Sequence, residues 1–447
     1  MKKLSRREFL QGLTLASAGV VLAACGAQPT GPEPVVDAPV DTAPGEPGGK
    51  VIFWGHDQHP LDLAAEGFVQ KYPNVEWESP HPADSGARLN AAMAAGTGLP
   101  DLYWAEATDA QDWGCNELLM DLTEYLAPVK DNYHPLKMNE TFIAKFGKNV
   151  GWPGDISVSG WYYRYDVLED MGYGDLDFET YTYEDFFAMS ADLAAQGKYT
   201  FCFPADGWSA LFMYTLHQLG GTAVSQDGQT LTVGDEKGIE AMRIVKGLWD
   251  SGGGLDVAWW SPPYWAAVQE GTLVGDFAAA WAKGFWEAQL TSPEQSAGYW
   301  RIAKFPTGPG IKYRTGIWGG AQLVCPAQAD NKENALLFME YALGSLEGAA
   351  LCGTWGIIPS YRPYLESSLF LRGRSSIFGD WAFNEFWAGQ EQELSLEFYR
   401  PAGWGAVNDI VNREMPTIMR GELTVEEGMD LIVRNATPDF ERTMCPA

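Results

Sequence analysis

The stretch ARLNAAMAAGTGLPDLYWAEA, residues 87–107, places one predicted helix directly before one predicted strand. Residues 87–95 predict a helix that ends at Gly96, a residue type that commonly terminates helices. Residues 101–107 predict a strand. Upstream, KVIFW (50–54) and VEWES (75–79) predict two further strands, separated by a segment with apolar residues at helical spacing. Strands that alternate with helices indicate an α/β sheet with crossover helices.

The same alternation continues to the end of the chain. Thr182 with Asp185, and Thr424 with Glu427, have the spacing of residues that cap the start of a helix. The remaining segments follow the same reasoning. Strands are predicted at 158–164 and 321–326, and helices at 165–172, 182–197, 211–221, 235–253, 332–344 and 424–442.

The N-terminal segment MKKLSRREFLQGLTLASAGVVLAAC has the pattern of an export signal. A basic head precedes an apolar run, Leu13 to Ala24, that is shorter than the roughly 20 residues needed to cross a bilayer. SRREFL resembles a twin-arginine signal, and LAAC resembles the lipobox of bacterial lipoproteins. We therefore expect a signal peptide at 1–24 and a lipid on Cys25. Such a protein is exported and anchored to the outer face of the cytoplasmic membrane.

Residues 25–49 predict a spacer between this anchor and the folded part. The segment is rich in Pro, Gly, Ala and acidic residues and has few large apolar side chains, a composition typical of disorder. Proline biases such a segment toward extended conformations. The folded part is expected to begin near Lys50, and its roughly 400 residues exceed one typical domain, which favours two lobes.

The charge of the chain restricts its partners. The formal net charge is −29, and removal of residues 1–24 would leave −32. Nucleic-acid binding needs clustered Lys and Arg, so nucleic acid is not an expected partner. An acidic surface also repels anionic ligands.

The cysteines do not define a metal site. Five cysteines remain after Cys25, so at least one is not in an intramolecular disulfide. The sequence leaves the pairing of Cys115, Cys202, Cys325, Cys352 and Cys445 open. Cys202 and Cys325 lie in apolar strand-like runs and are expected to be free and buried. The spacings match no zinc motif.

The aromatic residues point to a ligand. The chain has 19 Trp, 19 Tyr and 21 Phe, and many of the tryptophans stand beside Gly, Pro or Asp in turn-like segments such as AWWSPPYW. A flat ring with a polar edge suits a sugar, which is apolar on its C–H faces and polar at its rim. Others of these tryptophans are expected to pack internally.

From Lys50 onward the chain resembles the family 1 extracellular solute-binding proteins, the sugar receptors of bacterial ABC importers that include maltose-binding protein. The segments that carry this resemblance span most of the chain after the spacer. They are FVQKYPNVEWE (68–78), RLNAAMAAGTGLPDLYWAEA (88–107), LMDLTEYL (119–126), WPGDISVSGWYYRYDVLEDMG (152–172), TYEDFFAMSADL (182–193) and WGGAQLVCPAQADNKENALLFMEYALGSLEG (318–348).

The resemblance implies an α/β, two-lobe periplasmic-binding-protein fold of type II, with a hinge and an interlobe cleft. Lobe 1 would comprise 50–155 plus 315–358, and lobe 2 would comprise 156–314 plus 359–447. The implied function is the lipid-anchored substrate-binding component of an ABC importer, which binds a neutral mono- or oligosaccharide and needs no cofactor. The implied partners are the membrane-spanning permease subunits, and a monomer is expected.

The expected ligand residues lie in loops beyond the carboxyl ends of strands, where α/β sheets bind ligands. Trp104 matches a stacking tryptophan of the maltose-type proteins, whereas Ser157 stands where those proteins carry an acid. Asp57 could accept hydrogen bonds from sugar hydroxyls or cap a helix. Arg400 could bind the ligand or pair with an acid. The full candidate set is Trp54, Asp57, Trp104, Glu106, Asp155, Ser157, Trp161, Trp208, Trp281, Trp286, Trp318, Arg400 and Trp404.

Two other functions remain open from the sequence. An exported glycosidase would need two carboxyl groups on either side of one sugar bond, and acidic residues are abundant. A metal receptor would use His56 and His59 with Asp57 between them. The remaining three histidines are scattered, and no metal site is expected.

Overall fold

The computed structural model describes residues 47–55, 59–292, 295 and 297–445. Within these ranges the chain forms a mixed α/β structure with two separate main sheets. The strands are β1 Gly49–Gly55, β2 Val75–Glu78, β3 Leu102–Glu106, β4 Phe142–Ile143, β5 Lys148–Asn149, β6 Trp152–Pro153, β7 Ser159–Arg164, β8 Phe201–Cys202, β9 Gly254–Leu255, β10 Gly275–Ala279, β11 Trp300–Ala303 and β12 Ala321–Val324.

The helices connect and cover these strands. They are α1 His59–Lys71, α2 Ser85–Ala95, α3 Ala107–Cys115, α4 Thr123–Leu126, α5 Pro135–Glu140, α6 Tyr165–Asp170, α7 Tyr183–Ala194, α8 Ala210–Gln218, α9 Glu236–Asp250, α10 Pro262–Gln269, α11 Ala282–Gln289, α12 Lys332–Gly344, α13 Leu346–Trp355, α14 Arg362–Leu365, α15 Ser368–Leu371, α16 Phe383–Glu391, α17 Trp404–Met419 and α18 Val425–Thr443.

The first sheet organises lobe 1. Its strand order is β2-β1-β3-β12-β6, with β1 parallel to β2 and β3, and β12 antiparallel to β3 and β6. Helices α1, α12 and α13 bury apolar side chains against it. Phe338 of α12, for example, lies 4.3 Å from Trp77 and 5.1 Å from Phe68, measured between ring centroids.

The second sheet organises lobe 2. Its order is β10-β7-β11, with both pairs antiparallel, and the short parallel pair β8-β9 lies beside it. Strand β7 is central, and its residues Ser159 to Tyr162 are buried. Helices α17 and α18 pack on the other helices of this lobe through residues such as Ile410, Met415 and Ile432.

Three chain segments cross between the two sheets. They are 154–158, between β6 and β7; 304–320, between β11 and β12; and 356–361, after α13. The segments lie side by side. The amide of Ile156 donates to the carbonyl of Ile358 at 2.9 Å, and the amide of Ser159 donates to that of Gly316 at 3.0 Å. Such a bundle of short crossings can act as a hinge between lobes.

The predicted element types are confirmed. Helix α2 ends at Gly96, which has a left-handed φ of +67°. The capping boxes of Thr182 with Asp185 and of Thr424 with Glu427 both form. The segments around α13, α16 and α17 were not predicted as helices, and the structure adds them.

One disulfide joins the two lobes. Cys115, at the end of α3, is bonded to Cys445, which follows α18 and lies 330 residues later. Cys202, Cys325 and Cys352 are free and buried, which confirms the prediction for Cys202 and Cys325. Cys25 lies outside the described residues.

The disulfide belongs to a contact surface that we call the lobe seam. Its members are Gln111, Asp112 and Cys115 on α3, and Tyr399, Gly403 and Cys445 on the facing segments of lobe 2. The hydroxyl of Tyr399 donates to the side-chain oxygen of Gln111 at 3.1 Å. The amide of Gly403 donates to the carboxylate of Asp112 at 3.0 Å. Burial raises the pKa of Asp112 to about 6.

No single helix in the described ranges is long and apolar enough to cross a membrane. Helices α12 and α13, which meet at an angle of 71°, meet the length and composition criteria only as a bent pair.

An aromatic cleft between the lobes

A cleft of about 510 Å³ lies where the two lobes face each other. Residues from lobe 1, lobe 2 and the crossing segments line it. They are Trp104, Glu106, Asp155, Trp259, Trp260, Trp265, Trp281, Phe285, Gln289, Trp318, Gly319, Gly320, Ala321 and Ile357. Volumes of this order are typical of small-molecule sites.

Lobe 1 contributes Trp104 and Glu106 at the carboxyl end of β3. The Trp104 ring packs over Gly154 in the first crossing segment. A Cβ on Gly154 would lie 2.4 Å from this ring and 2.1 Å from the carbonyl oxygen of Ala321. The glycine therefore allows the ring of Trp104 to lie against the crossing segment.

Lobe 2 contributes a wall of rings, which we call the indole wall and define as Trp259, Trp260, Trp265, Trp281 and Phe285. Trp260 is at its centre, with ring centroids 4.6 Å from Trp259, 4.9 Å from Trp265 and 4.7 Å from Phe285. Its ring is stacked on Trp281 at 5.7 Å with an interplanar angle of 29°. The Trp281 indole N–H donates to the carbonyl of Trp318 at 2.9 Å. The indole wall therefore presents a continuous aromatic surface.

Asp155 is the buried acidic group of the cleft lining. One of its carboxylate oxygens accepts the amide N–H of Ala321 at 2.7 Å, and the other accepts the hydroxyl of Ser157. Burial raises the pKa of Asp155, and the charge of Lys137 opposes that rise. Ser157 itself is buried and has a left-handed φ of +52°.

A buried ion network supports the floor of the cleft. Lys137 donates to Glu140 at 2.9 Å and to the carbonyl of Gly320 at 2.8 Å. The Nε of Arg400 donates to Glu140 at 2.8 Å. Although burial alone would raise it, the pKa of Glu140 is lowered by Arg400 and Lys137. Because Arg400 follows lobe 2 elements and Glu140 is in α5 of lobe 1, this pair also crosses between the lobes.

Five of the predicted site residues come together at the cleft: Trp104, Glu106, Asp155, Trp281 and Trp318. The other described members of the candidate set do not line it. Ser157 lies behind Asp155. Arg400 pairs with Glu140, the second of the two roles considered for it. Trp208 lies behind the indole wall, 4.7 Å from Trp259.

Three of the predicted tryptophans are buried in the protein interior instead, and a fourth, Trp54, is partly buried and does not line the cleft. Trp161 is in the central strand β7, fully buried, and its indole N–H donates to the carbonyl of Thr200 at 2.8 Å. Trp286 is fully buried against Trp300 at 4.3 Å. Trp404 is buried at the start of helix α17. Trp54 packs beside a cluster of lobe 1 core residues. His56 and Asp57 lie outside the described residues.

Most of the indole wall was not predicted from the sequence. Trp259, Trp260 and Trp265 were noted in AWWSPPYW but were not chosen as site residues. Phe285 was not considered, although it lies four residues after Trp281 and therefore on the same face of α11. Paired tryptophans followed by two prolines were the available signal for this loop.

Among the described residues there is no group of three or more side chains suited to hold a metal ion. Of the residues considered for a metal receptor, His56, Asp57 and the side chain of His59 lie outside the described residues.

Two α/β lobes joined by three crossings, with a ligand-sized cleft between them, define a two-lobed binding protein. Residues 59–345 match the model of the family described as bacterial extracellular solute-binding protein. The match covers more than half of the chain, and the chain belongs to this family.

The chain is also similar to curated relatives. An arabinooligosaccharide-binding protein from Halalkalibacterium halodurans is 24% identical over 311 residues, which cover 66% of this chain and 67% of that protein. A lactose-binding protein from Rhizobium radiobacter is 23% identical over 319 residues, which cover 65% of this chain and 69% of that protein.

Solved structures share the fold. The ABC transporter associated binding protein from B. animalis subsp. lactis, in complex with β-1,6-galactobiose, has a TM-score of 0.74 at 20% identity and covers 89% of this chain and 98% of its own. Maltose-bound MalE3 of T. maritima has a TM-score of 0.69 at 20% identity and covers 87% and 99%. The maltose-binding-protein-like two-lobe fold expected from the sequence is confirmed.

Proposed function

We propose that the protein is the substrate-binding component of an ABC importer and binds a neutral sugar or oligosaccharide in the interlobe cleft. The observation that carries this proposal is the composition of the cleft lining. Six of its described residues are tryptophan, and none is lysine or arginine. Sugar C–H faces pack well on indole rings, whereas a phosphorylated or carboxylated ligand would lack a cationic partner among these residues.

Ligand binding at this position favours a closed form. Trp104 and Glu106 belong to lobe 1, and the indole wall belongs to lobe 2, so a ligand in the cleft contacts both lobes. A ligand that binds the closed arrangement better shifts the population toward it. The three crossing segments provide the hinge, and a closed receptor would then dock on the permease. We place the lobe boundaries at 155/156, 314/315 and 358/359, and we expect a monomer.

The carbohydrate class is supported by the relatives, whose names specify arabinooligosaccharide and lactose. The direct test is a thermal-shift screen of the purified protein. Arabinotriose, lactose, β-1,6-galactobiose and maltose are the neutral probes, and glucuronate and glucose 6-phosphate are the anionic controls. At a ligand concentration of about 100 Kd, binding adds about 2.7 kcal/mol of stability. A shift with anionic sugars only would contradict the proposal.

Two variants show whether the shift comes from the cleft. Trp104→Ala and Trp281→Ala each remove a ring that lines it and should weaken the response to the bound sugar. Trp381→Ala is the matched control, because Trp381 packs on Phe378 and Phe386, away from the cleft lining. An unchanged response in Trp104→Ala would mean that Trp104 is not a ligand contact.

An exported glycosidase is the alternative, and one observation favours it. Glu106 and Asp155 place two carboxyl groups in the same cleft. Both oxygens of Asp155 are hydrogen-bonded within the protein, however, which leaves it poorly placed to attack or protonate a sugar. We therefore propose a binding protein without enzymatic activity. Release of reducing sugar from the same oligosaccharides by purified protein would contradict this.

The family is extracellular, and we propose that this chain is exported through residues 1–24 and held at the membrane by a lipid on Cys25. Labelling with a radioactive fatty acid tests the anchor. The wild type should carry label and sediment with membranes, whereas Cys25→Ser should carry none. Label on the Cys25→Ser variant would contradict the anchor without affecting the sugar proposal.

A further inference from the structure

A buried carboxylate, that of Asp276, lies behind the indole wall. Asp276, in β10, has no exposed surface and accepts four hydrogen bonds. Its Oδ1 accepts the amides of Cys202 and Phe277, both at 3.0 Å. Its Oδ2 accepts the indole N–H of Trp259 at 2.9 Å and the hydroxyl of Tyr264 at 2.8 Å. Two of the four donors, Trp259 and Tyr264, therefore belong to the segment that carries Trp260 and Trp265 of the wall.

Trp260 lies between these two anchored residues and has a strained backbone. Its φ is +65°, in the left-handed region that bulky side chains rarely adopt. Such a conformation persists only where the surrounding structure fixes it. The amide of Ser261 donates to the carbonyl of Ala258 at 3.1 Å and closes the turn. The strained residue is also the central ring of the indole wall.

We infer that Asp276 is a positioning residue, which fixes the left-handed turn at Trp260 and so sets the shape of the proposed sugar-binding surface. The Oδ2 atom of Asp276 accepts hydrogen bonds from Trp259, which precedes Trp260 in the chain, and from Tyr264, which follows it. Asp276 therefore holds the turn on both sides of Trp260. The inference rests on the proposed function only in calling this surface the sugar-binding one; the positioning itself is a property of the free protein.

Only an ionised carboxylate can accept all four hydrogen bonds, because a protonated carboxyl group would point its own O–H at one of the four donors. Burial raises the pKa of Asp276 to about 6, while the four donors oppose that rise, and at neutral pH the group is charged. An asparagine has one acceptor oxygen, and its NH2 group would face two of the donors. Because the site is closed to solvent, at least one N–H donor, either the indole of Trp259 or the backbone amides on the other side, would be left without a partner.

Optical spectroscopy tests the inference without any ligand. Trp208, Trp259, Trp260 and Trp281 have ring centroids within about 6 Å of a neighbour, so their transitions couple and contribute to the circular dichroism of the native protein. Acrylamide, added as a probe, quenches those indoles that become exposed. We expect Asp276→Asn to lose most of the coupled aromatic signal and to be quenched more strongly, while its helical signal is kept.

Two further variants keep the test decisive. Tyr264→Phe removes one of the two anchors while keeping the ring and should produce part of the same loss. Asp112→Asn is the matched control, since Asp112 is another carboxyl with a raised pKa that accepts a backbone amide, but it is in the lobe seam. It should leave the aromatic signal unchanged.

The outcomes separate the two proposals. A folded Asp276→Asn with the wild-type aromatic signal would overturn the positioning role. If that variant does not fold, an unchanged signal in Tyr264→Phe would overturn it instead, and so would an equal loss in Asp112→Asn. None of these readings uses a sugar, so a screen in which no sugar binds refutes the proposed function and leaves this inference standing.

Discussion

Removal of the interlobe disulfide should destabilise the protein strongly. We consider the double substitution Cys115→Ser and Cys445→Ser, which leaves no unpaired partner thiol. The chain-entropy relation for a cross-link over the observed separation of 330 residues gives about 6 kcal/mol. Because measured effects rarely exceed about 5 kcal/mol, we expect a loss of about 3–5 kcal/mol.

The expected loss translates into a modest change of melting temperature. For about 400 ordered residues at about 2.1 cal/mol/K each, the unfolding entropy is about 0.84 kcal/mol/K, so a loss of 4 kcal/mol lowers Tm by about 5 °C. The measurement is differential scanning calorimetry of the wild type and of the double variant, with and without reductant. Mass spectrometry of the unreduced wild type verifies the bond.

The reductant serves as the internal control. It should lower the Tm of the wild type to that of the double variant and leave the double variant unchanged. If the double variant melts at the wild-type temperature although the wild type carries the bond, the reasoning from loop closure is refuted.

Three further predictions concern the cleft, the ion network and the seam. Gly154→Ala places a methyl group against the Ala321 carbonyl and the Trp104 ring, so we expect a loss of about 1–3 kcal/mol in the free energy of unfolding by denaturant titration, together with weaker binding of whichever sugar shifts the wild type. Gly308→Ala is the control, because Gly308, like Gly154, does not have a positive φ and its Cβ would meet only Ile311, at 4.0 Å. Arg400→Met leaves Glu140 buried with only Lys137 as a charged partner, so the same titration should show a loss of about 3–5 kcal/mol in the free energy of unfolding. A variant as stable as the wild type would show that the pair of Arg400 and Glu140 is dispensable. The pKa of Asp112 is raised to about 6 in the folded protein, so the folded state binds this proton more readily than the unfolded state does. The free energy of unfolding should therefore gain a contribution as the pH falls from about 6 toward 4, and Asp112→Asn should lack that contribution. Identical profiles of unfolding free energy against pH for the two proteins would contradict the assignment.

The element types were predictable because they depend on local patterns. Gly96 ends a helix by its own conformational freedom, and Thr182 and Thr424 cap helices through residues three positions away. The resemblance to known receptors added the arrangement of the lobes. Long-range pairing was not accessible in this way, and nothing near Cys115 in the sequence indicates Cys445.

The cleft residues were only partly predictable because loop tryptophans and core tryptophans have the same local neighbours. Trp161 is in the central strand of its sheet, in the part from Ser159 to Tyr162 where side chains on both faces are buried. Helical spacing could have separated Trp281 from Trp286, since five residues along a helix reach the opposite face. The position of Trp260 depends on the hydrogen bonds of Trp259 and Tyr264 to Asp276, which local sequence patterns do not reveal.

A ribosome that has just added Cys115 must add 330 more residues before the second sulfur exists. At about 5–20 residues per second, this takes about 15–65 s. Strand β12, which completes the first sheet, ends at Val324, so that sheet can form around the unpaired thiol before Cys445 is added. The bond therefore cannot guide the early steps of folding and can only fasten lobes that have already formed. A chain interrupted anywhere between the two cysteines never acquires it, and migration on a non-reducing gel distinguishes such fragments from finished molecules.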